Sequence, residues 1–329
     1  MDDCLLCGMR TCVVGARHSK TLRGRTIMLA DYHAHSEFSD DSWYPMTDVC
    51  RDAIRHNIDE LCFTDHVDYG IKLDVEQYQA DHSAARMHKN PDGVLEPLLN
   101  VDYERYFPAI EAVREQFAQL GSGRHLGGLT IKTGLELGVQ TQYIAEYQTL
   151  MRRYASRMDF ALLSVHQVDN LEFWTGEFME GRSQAEYNQT YYHELLSVVE
   201  KFKDYSVLAH LDLIKRYELE LVGAENLYPF ENIRDMVAAI LEQAIADGKG
   251  IELNTSSFRY GLPDLTPCTE ILELYRDLGG RIITIGSDSH RESNLGAYIG
   301  LAKKRLLSLG YQQYCTFDAW EPVFHSLEE

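Results

Sequence analysis

Residues 28–35 have the sequence Met-Leu-Ala-Asp-Tyr-His-Ala-His, in which a short apolar run leads directly into polar side chains. Six later segments repeat this arrangement. Their apolar runs are short and rich in β-forming residues, which is typical of parallel strands that are buried on both faces. The seven predicted strands are Met28–His33, Glu60–Thr64, Leu129–Thr133, Phe160–Val165, Ser206–Ala209, Gly250–Asn254 and Arg281–Ile285.

Amphipathic segments separate the predicted strands. Residues 104–120 and 231–247 each place apolar side chains on one stripe at helical spacing. Strands that alternate with helices predict a parallel α/β barrel or a doubly wound sheet. We predict one domain over residues 28–329, with its longest inserts at 67–127 and 167–205. Both inserts follow a strand and would lie on the carboxyl-terminal face of a barrel, where barrel sites are built.

The charge of the chain restricts the class of partner. Its 329 residues include 31 Lys and Arg against 51 Asp and Glu, which gives a formal net charge of −20. Such a surface repels polyanions, so we expect no nucleic-acid binding. A small phosphorylated substrate remains compatible, because metal ions or a few arginines reverse the sign of the charge locally. The sequence does not indicate an oligomeric state.

The sequence also favours a location and a starting point. No run of about 18 apolar residues is present, so we expect no membrane-spanning helix. Seven scattered cysteines favour a reducing cytoplasm. Residues 1–27 lack the strand and helix pattern of the rest, and we expect them to be a disordered extension, with Met28 as an alternative start.

Residues able to bind a metal follow the predicted strands. They are His33 and His35, Asp40 and Asp41, Asp65 and His66, Glu136, His166, His210 and Asp212, and Asp288 and His290. A single histidine is more often a hydrogen-bonded core residue, but histidines at five strand ends favour one shared metal-binding site. Because the carboxyl ends of barrel strands converge on one cavity, ligands that are far apart in sequence can meet there.

The spacing and the residue types predict a metal centre. His33 and His35 are two apart on an extended segment, so their side chains point to the same side, and the same holds for Asp288 and His290. Neutral imidazole and carboxylate are suitable ligands for Zn, Mn and Fe. The number of ligands exceeds what one tetrahedral ion needs, so we predict two or three divalent ions.

These motifs, in this order, resemble those of the PHP (polymerase and histidinol phosphatase) superfamily. The resemblance covers nearly all of residues 28–295. It is carried by His33-x-His35, Thr64-Asp65-His66, Gly134-x-Glu136, Ser164-Val165-His166, His210-x-Asp212 and Ser287-Asp288-Ser289-His290. It implies a distorted (β/α)7 TIM-like barrel with a trinuclear metal centre at the carboxyl-terminal ends of the strands.

The resemblance also implies a ligand set. The implied metal ligands are His33, His35, Asp41, His66, Glu136, His166, His210, Asp288 and His290. Either Asp40 or Asp41 could fill the acidic position after the first strand, and spacing in the histidinol-phosphatase branch favours Asp41. Asp65 and Asp212, each close to a ligand histidine, would either orient that imidazole or cap a helix.

Finer features are similar to the histidinol-phosphate phosphatase branch. They are Gly181-Arg182-Ser183 and the segments 210–217 and 251–259. The branch implies hydrolysis of L-histidinol phosphate to L-histidinol and phosphate, a step of histidine biosynthesis. Arg182 and Arg216 follow the fourth and fifth strands and are candidate phosphate contacts, because guanidinium donors match phosphate oxygens in pairs. Arg259 is a weaker candidate.

The mechanism that these residues suggest is a metal-assisted hydrolysis. A hydroxide that bridges two metal ions would attack phosphorus, while Arg182 and Arg216 neutralise the charge that develops on the phosphoryl oxygens. The leaving alkoxide needs a proton, and Asp288 and His66 are the candidate donors.

Three alternatives remain open from the sequence. The first is another phosphoesterase of the same superfamily that acts on nucleotide or sugar phosphates. The second is an amidohydrolase-like metal hydrolase, but that class usually has a bridging lysine at the fourth strand, where this chain has His166. The third is a metal-binding module without catalytic activity, which the full set of ligands disfavours.

Overall fold

The structure is a computed structural model that describes residues 28–117 and 128–328. The strands in these ranges are β1 (Ala30–Ala34), β2 (Glu60–Phe63), β3 (His66–Val67), β4 (Met87–Lys89), β5 (Leu95–Pro97), β6 (Thr130–Thr133), β7 (Glu136–Gly138), β8 (Leu162–Ser164), β9 (Gln167–Val168), β10 (Leu171–Glu172), β11 (Val207–Leu208), β12 (Gly250–Asn254), β13 (Ile283–Gly286), β14 (Gln313–Asp318) and β15 (Glu321–Ser326). The α-helices are α1 (Met46–Arg55), α2 (Val75–Ala80), α3 (Tyr103–Phe117), α4 (Ile144–Tyr154), α5 (Gln184–Lys201), α6 (Ile214–Val222), α7 (Arg234–Ala246), α8 (Thr269–Asp277) and α9 (Ile299–Ser308). The extension predicted at residues 1–27 lies outside the described residues.

Two parallel ladders form the central sheet. One has the order β1-β2-β6, and the other has the order β13-β12-β11-β8-β7-β3. They are two parts of one sheet, because β2 continues into β3 and β6 continues into β7 after short breaks. Backbone bonds from Gly134 N–H to Phe63 O (2.8 Å) and from Glu136 N–H to Asp65 O (3.1 Å) hold the two continued strands together across the breaks.

The sheet curves back on itself, so that its last strand meets its first. A parallel bridge joins Ala34 to Ser289, just beyond β13, and His35 N–H donates to Ser289 O at 2.8 Å. Seven parallel strand positions therefore form a ring, which confirms the predicted distorted (β/α)7 barrel. The register shift between Asp31 and Ala34 on β1 is one source of its distortion.

The predicted elements agree well with the observed ones. Each of the seven predicted strands overlaps an observed strand with ends that differ by at most two residues, and β12 is identical to its prediction. The helix predicted at 231–247 is α7, and the one predicted at 104–120 is α3, although its last three residues lie outside the described part of the chain. On α3 the apolar side chains of Phe107, Ile110 and Val113 are buried, as the helical stripe requires.

The two long inserts are in contact with each other. The first contains α2, the antiparallel hairpin β4–β5 and α3, and the second contains the hairpin β9–β10 and α5. Arg86 of the first insert lies 3.2 Å from a carboxylate oxygen of Glu172 in the second. The same guanidinium donates to Asn170 O at 3.2 Å. An ion pair and a hydrogen bond thus join the inserts on the face where the strands end.

The antiparallel hairpin β14–β15, which the sequence analysis did not predict, covers the amino-terminal end of the barrel. The Tyr32 hydroxyl donates to Phe317 O at 2.9 Å and accepts from Phe317 N–H at 2.8 Å. Phe160 packs against both of these aromatic rings. At the turn of the hairpin, Trp320 N–H donates to Asp159 O. The hairpin therefore packs against the amino-terminal end of the barrel, opposite the strand ends that carry the predicted ligands. No α-helix of the described ranges is long and apolar enough to cross a membrane.

Candidate metal centre

Glu136, the first residue of β7, lies at the centre of a cluster of histidines. Its side chain is buried. One carboxylate oxygen lies 3.0 Å from His33 Nε2 and 3.1 Å from His66 Nδ1, and the other lies 3.0 Å from His166 Nε2 and 2.8 Å from His210 Nε2. Burial alone would raise the pKa of Glu136, but the surrounding imidazoles hold it well below its ordinary value. Glu136 is therefore an anion that four strand ends share.

His35 lies on the side of the cluster formed by β1 and the segment after β13. Its Nε2 atom is 3.4 Å from a Glu136 oxygen and 3.7 Å from Asp288 Oδ1. Its ring stacks on that of His290, with the ring centroids 4.0 Å apart. Burial and the neighbouring rings of His290 and His66 lower the pKa of His35 well below its ordinary value. The imidazole is therefore neutral, which is the form that binds metals.

The two candidate aspartates after β1 point to different partners. Asp41 Oδ2 lies 3.1 Å from His290 Nε2 and 3.7 Å from His66 Nε2. Asp40 instead forms an ion pair with Lys72. Backbone bonds within residues 36–42 form the tight turn that separates the two side chains. The structure thus brings Asp41, and not Asp40, to the histidine cluster.

The nine predicted ligands meet at one place, and their donor atoms suit a divalent metal. Four sets of three side chains each offer donor atoms within 4.8 Å of one another; the sets are His35, His66 and His290; His33, His35 and Asp288; His33, Glu136 and His210; and His66, Asp68 and His166. The buried nitrogens His35 Nε2, His66 Nδ1 and His290 Nε2 make no hydrogen bond of good geometry. Buried polar atoms without partners are rare in proteins, and metal coordination would satisfy all three.

Asp68 belongs to this cluster, although the sequence analysis did not select it. Its Oδ1 atom lies 2.8 Å from His166 Nδ1, so that His166 can turn its other nitrogen towards Glu136. A carboxylate on the second nitrogen is the usual way to fix the orientation of a metal-binding imidazole. A signal was present in the sequence, because Asp68 stands two residues after His66 on an extended segment, as His35 stands after His33.

Glu252 on β12 is a second residue that the sequence analysis did not select. It is fully buried. Its Oε1 atom lies 2.7 Å from His33 Nδ1, and its Oε2 atom accepts from the backbone N–H of His210 at 2.9 Å. Burial alone would lower the pKa of His33, but Glu252 and Glu136 raise it well above its ordinary value. Glu252 therefore orients one ligand side chain and the backbone of another. Its sequence signal was weak, because a single acidic residue inside an apolar strand has no periodic partner.

Two glycines leave the space that these carboxylates occupy. A Cβ atom at Gly286 would lie 2.3 Å from Glu252 Oε1 and 2.3 Å from His33 Cβ. A Cβ atom at Gly138 would lie 1.9 Å from Asp68 Oδ1. Real Cβ atoms do not approach other atoms so closely, so both carboxylates depend on a neighbouring strand position without a side chain.

The two aspartates that could have oriented neighbouring imidazoles bind elsewhere. Asp65 accepts from Ser36 N–H and from Ser39 Oγ, each at 2.7 Å. Ser39 Oγ lies 3.0 Å from His35 Nδ1, so Asp65 acts on the imidazole of His35 through a serine. Asp212 lies 3.0 Å from the ammonium of Lys215 and accepts from the N–H of residue 268, also at 3.0 Å.

Arg216, on α6, is the predicted phosphate contact that the structure places beside the cluster. One of its terminal nitrogens lies 3.1 Å from Asp288 Oδ2 and donates to Ser256 Oγ at 2.6 Å. Its guanidinium lies 4.1 Å from the centroid of the Tyr260 ring, a distance at which a cation and an aromatic face attract each other. Arg216 is thus held in place by three groups at the edge of the predicted ligands.

Arg182 and Arg259 have different positions. In the described structure the Arg182 guanidinium contacts Phe178, through its carbonyl oxygen and its ring, and no contact joins it to the cluster. Arg259 donates to the carbonyl oxygens of Ser287 (2.6 Å) and Asp288 (2.7 Å). Asp288 has a φ of +53°, which a residue with a side chain rarely adopts. Arg259 therefore stabilises the backbone that presents Asp288.

Comparisons with known proteins agree with this geometry. The model of the PHP domain family matches residues 31–256. A histidinol-phosphatase of Lactococcus lactis is 27% identical over 298 residues, which cover 87% of this chain and 93% of that protein. A protein of Thermotoga maritima named "Probable histidinol-phosphatase" is 26% identical over 285 residues, which cover 86% of this chain and 94% of that protein.

A solved structure is similar over nearly the whole fold. The crystal structure of histidinol phosphate phosphatase from Lactococcus lactis, complexed with Zn, L-histidinol and phosphate, matches with a TM-score of 0.71 and 25% sequence identity. The match covers 91% of this chain and all of that chain. The similar protein therefore binds a metal, an alcohol and phosphate on a barrel of the same architecture.

Proposed function

Since this chain belongs to the PHP domain family, we propose that it is a metal-dependent phosphomonoesterase that hydrolyses L-histidinol phosphate to L-histidinol and phosphate. The observation that carries the proposal is the cluster around Glu136, where six imidazoles and three carboxylates from six strand positions converge. Names of relatives that align over most of both chains support the substrate, and so does the similar structure with L-histidinol and phosphate.

We propose that the cluster holds two to three divalent ions, of Zn, Mn or Fe. The ligands would be His33, His35, Asp41, His66, Glu136, His166, His210, Asp288 and His290. Such ions supply a Lewis acid for phosphoryl oxygens and lower the pKa of bound water towards neutrality. Glu136, whose two carboxylate oxygens face four imidazoles, would be the central carboxylate ligand. The Zn in the similar structure supports this metal among the three.

Arg216 would bind and orient the phosphoryl group of the substrate. A guanidinium has five N–H donors, so Arg216 can keep its contact with Asp288 and still donate to a phosphate oxygen. Its charge would neutralise the negative charge that grows on the phosphoryl oxygens in the transition state. Arg182 remains a second candidate for this role, although its described contacts are with Phe178.

A proton must reach the alkoxide that leaves. Burial alone would raise the pKa of Asp288, but His33 and Arg216 hold it well below its ordinary value. Asp288 is therefore anionic at rest, so it would first accept a proton on a carboxylate oxygen and then pass it on. His66, whose ring lies among the ligands 4.3 Å from that of His35, is the other candidate donor.

We further propose a cytoplasmic location, a small phosphorylated substrate as partner and no binding of nucleic acid. The cysteines of the described residues, Cys50, Cys62, Cys268 and Cys315, are all buried and without disulfides. This pattern is usual for a reducing compartment.

A substrate panel tests the proposed activity. Phosphate release would be measured with L-histidinol phosphate, 3′,5′-bisnucleotides, sugar phosphates and an aryl phosphate. We expect kcat/KM to be much higher for L-histidinol phosphate than for the others. Preference for a nucleotide or a sugar phosphate would keep the phosphoesterase chemistry but replace the substrate. No phosphate release from any of them, in the presence of Mn or Zn, would contradict the proposed activity.

A further inference from the structure

Lys72 is a buried lysine that lies against the metal cluster and has no part in the function proposed above. Its relative exposure is 7%. The ammonium group forms an ion pair with Asp40 and lies 2.9 Å from Asp68 Oδ2. A buried ammonium is unfavourable unless it is paired. Here it is paired twice, with carboxylates from two separate segments of the chain.

The ion pair of Lys72 with Asp40 acts on the neighbouring residue Asp41. Asp40 and Asp41 are adjacent in the turn after β1, and the Asp41 side chain is 53% exposed. Its contacts at the cluster are with His290 and His66. An exposed ligand on a turn is free to move away unless the turn is fixed. The ion pair between Asp40 and Lys72 fixes the turn at the residue directly before the ligand.

The ion pair of Lys72 with Asp68 acts on His166. Asp68 binds Lys72 with one carboxylate oxygen and His166 Nδ1 with the other. Asp68 N–H also donates to Asn100 Oδ1 at 2.8 Å, so the backbone of this residue is fixed as well. The lysine therefore holds Asp68 in the orientation in which it can hold the imidazole.

We propose that Lys72 is a positioning residue of the metal centre, which fixes the ligand Asp41 through Asp40 and the ligand His166 through Asp68. The inference rests on the proposed function, because it assumes that Asp41 and His166 bind metal. It also assigns a role to Asp68. Although Asp68 lies within metal-binding distance of His66 and His166, its second oxygen is taken by an ammonium group, so it orients His166 and does not itself bind an ion.

Metal affinity gives a direct test. The full-length protein would be stripped of metal and titrated with Mn²⁺ against a competing chelator, and the bound Mn²⁺ would be followed by electron paramagnetic resonance. We expect Lys72→Met to weaken binding by about 10- to 100-fold, as for the loss of other groups that orient ligands, and to change the spectrum. Asp40→Asn should weaken binding in the wild-type background but have little further effect in Lys72→Met.

A matched control separates this role from general stability. Lys215 is also a mostly buried lysine, and it pairs with Asp212, which lies two residues after the ligand His210. In the described structure this pair makes no contact with the cluster. We expect Lys215→Met to lower the midpoint of thermal unfolding and leave Mn²⁺ affinity unchanged. If Lys72→Met does not fold, Asp40→Asn and Asp68→Asn replace it, and both must weaken binding for the proposal to stand.

The outcomes distinguish this inference from the proposed function. Wild-type affinity and spectrum in Lys72→Met would overturn the role of Lys72 alone. Tighter Mn²⁺ binding in that variant would overturn it too, because it would show that Lys72 competes with a metal for Asp68. A wild-type protein that binds none of Mn²⁺, Zn²⁺ and Fe²⁺ would overturn the metal centre, and the role of Lys72 with it.

Discussion

Three histidines of the cluster have a partner that explains their orientation. Glu252 faces His33, Asp68 faces His166, and Asp65 reaches His35 through Ser39. Carboxylates of this kind keep the ring in the tautomer and orientation that leave the other nitrogen for a metal. The chain therefore prepares the metal-binding geometry with buried acidic residues that need not bind metal themselves.

Arg216 is the residue whose loss should separate catalysis from metal binding. We expect Arg216→Met to lower kcat/KM for L-histidinol phosphate by about 100- to 1,000-fold, because a group that stabilises developing charge is removed. Metal content, measured by mass spectrometry, should stay close to that of the wild type. Activity within a few-fold of the wild type would exclude Arg216 from the substrate site.

Arg182 tests the remaining predicted phosphate contact. If its guanidinium reaches the substrate, Arg182→Ala should raise KM or strongly lower kcat in the same assay. The thermal midpoint serves as the control, since loss of the contacts with Phe178 can alter local packing without touching the substrate. Kinetics like those of the wild type would remove Arg182 from the site.

At the scale of single elements, the cluster lies at the ends of the strands, and glycines at these ends leave space for its side chains. Gly286 is the last residue of β13, and an added Cβ atom would overlap Glu252 and His33. We expect Gly286→Ala to lower the free energy of unfolding by about 1–3 kcal/mol and to weaken metal binding as well. Chemical denaturation and metal titration would measure the two effects.

Gly300 on α9 provides the matched control for this substitution. An added Cβ atom at Gly300 meets no other atom within 4 Å, and alanine is the better residue inside a helix. Gly300→Ala should therefore raise the free energy of unfolding by up to about 1 kcal/mol with metal affinity unchanged. Equal effects of the two substitutions would show that the overlap at Gly286 is relieved without cost to the cluster.

The sequence predicted these elements well where burial alone decides them. A strand such as β12, buried at every residue, is recognisable from its own residues. The hairpin β14–β15 was missed because most of β15 is exposed, so its pairing depends on Tyr32 and Asp159 from distant parts of the chain. Local patterns contain no information about such partners.

The candidate site could be predicted where a local sequence pattern identifies a ligand. It could not be predicted where the role of a residue depends on partners that are distant in sequence. His33 and His35 were found because spacing and residue type suffice to recognise a pair of ligands on one strand. Spacing in the histidinol-phosphatase branch favoured Asp41 over Asp40, but the physical reason was not visible, because Asp40 pairs with Lys72, which is distant in sequence and adjacent in space. Glu252 could not be selected from the sequence for a similar reason, because its partners His33 and His210 belong to other strands.

At the scale of the whole molecule, the hairpin β14–β15 packs against the amino-terminal end of the barrel, and the candidate ligands converge at the carboxyl-terminal end. The organisation as a single domain over residues 28–329 remains a prediction, as does the disordered extension at 1–27. The chain as a whole is acidic, with a formal net charge of −20. A divalent metal in the cluster would attract a phosphate dianion that the rest of the surface repels.

The state of the whole cluster should depend on pH. Burial alone would lower the pKa of His166, but Glu136 and Asp68 raise it to about 10. Burial alone would also lower the pKa of His290, but Asp41 raises it to about 9. In the metal-free protein both imidazoles are therefore protonated at neutral pH and must release a proton before they bind metal.

The sign of the effect follows from this proton release. The affinity for Mn²⁺ should increase as the pH rises from about 6 to about 8, because protons compete with the metal throughout this range. Calorimetric titrations in buffers with different enthalpies of ionisation would count the protons released. An affinity that does not change with pH, and binding without proton release, would show that these imidazoles are neutral before the metal arrives.

The central claim is that the cluster around Glu136 binds the metal ions on which phosphate release depends. The most direct test measures phosphate release from L-histidinol phosphate and metal content on one sample, before chelation, after chelation and after Mn²⁺ or Zn²⁺ is restored. We predict that activity disappears with the metal and returns when two to three ions per chain are bound. Full activity in the metal-free protein would contradict the claim.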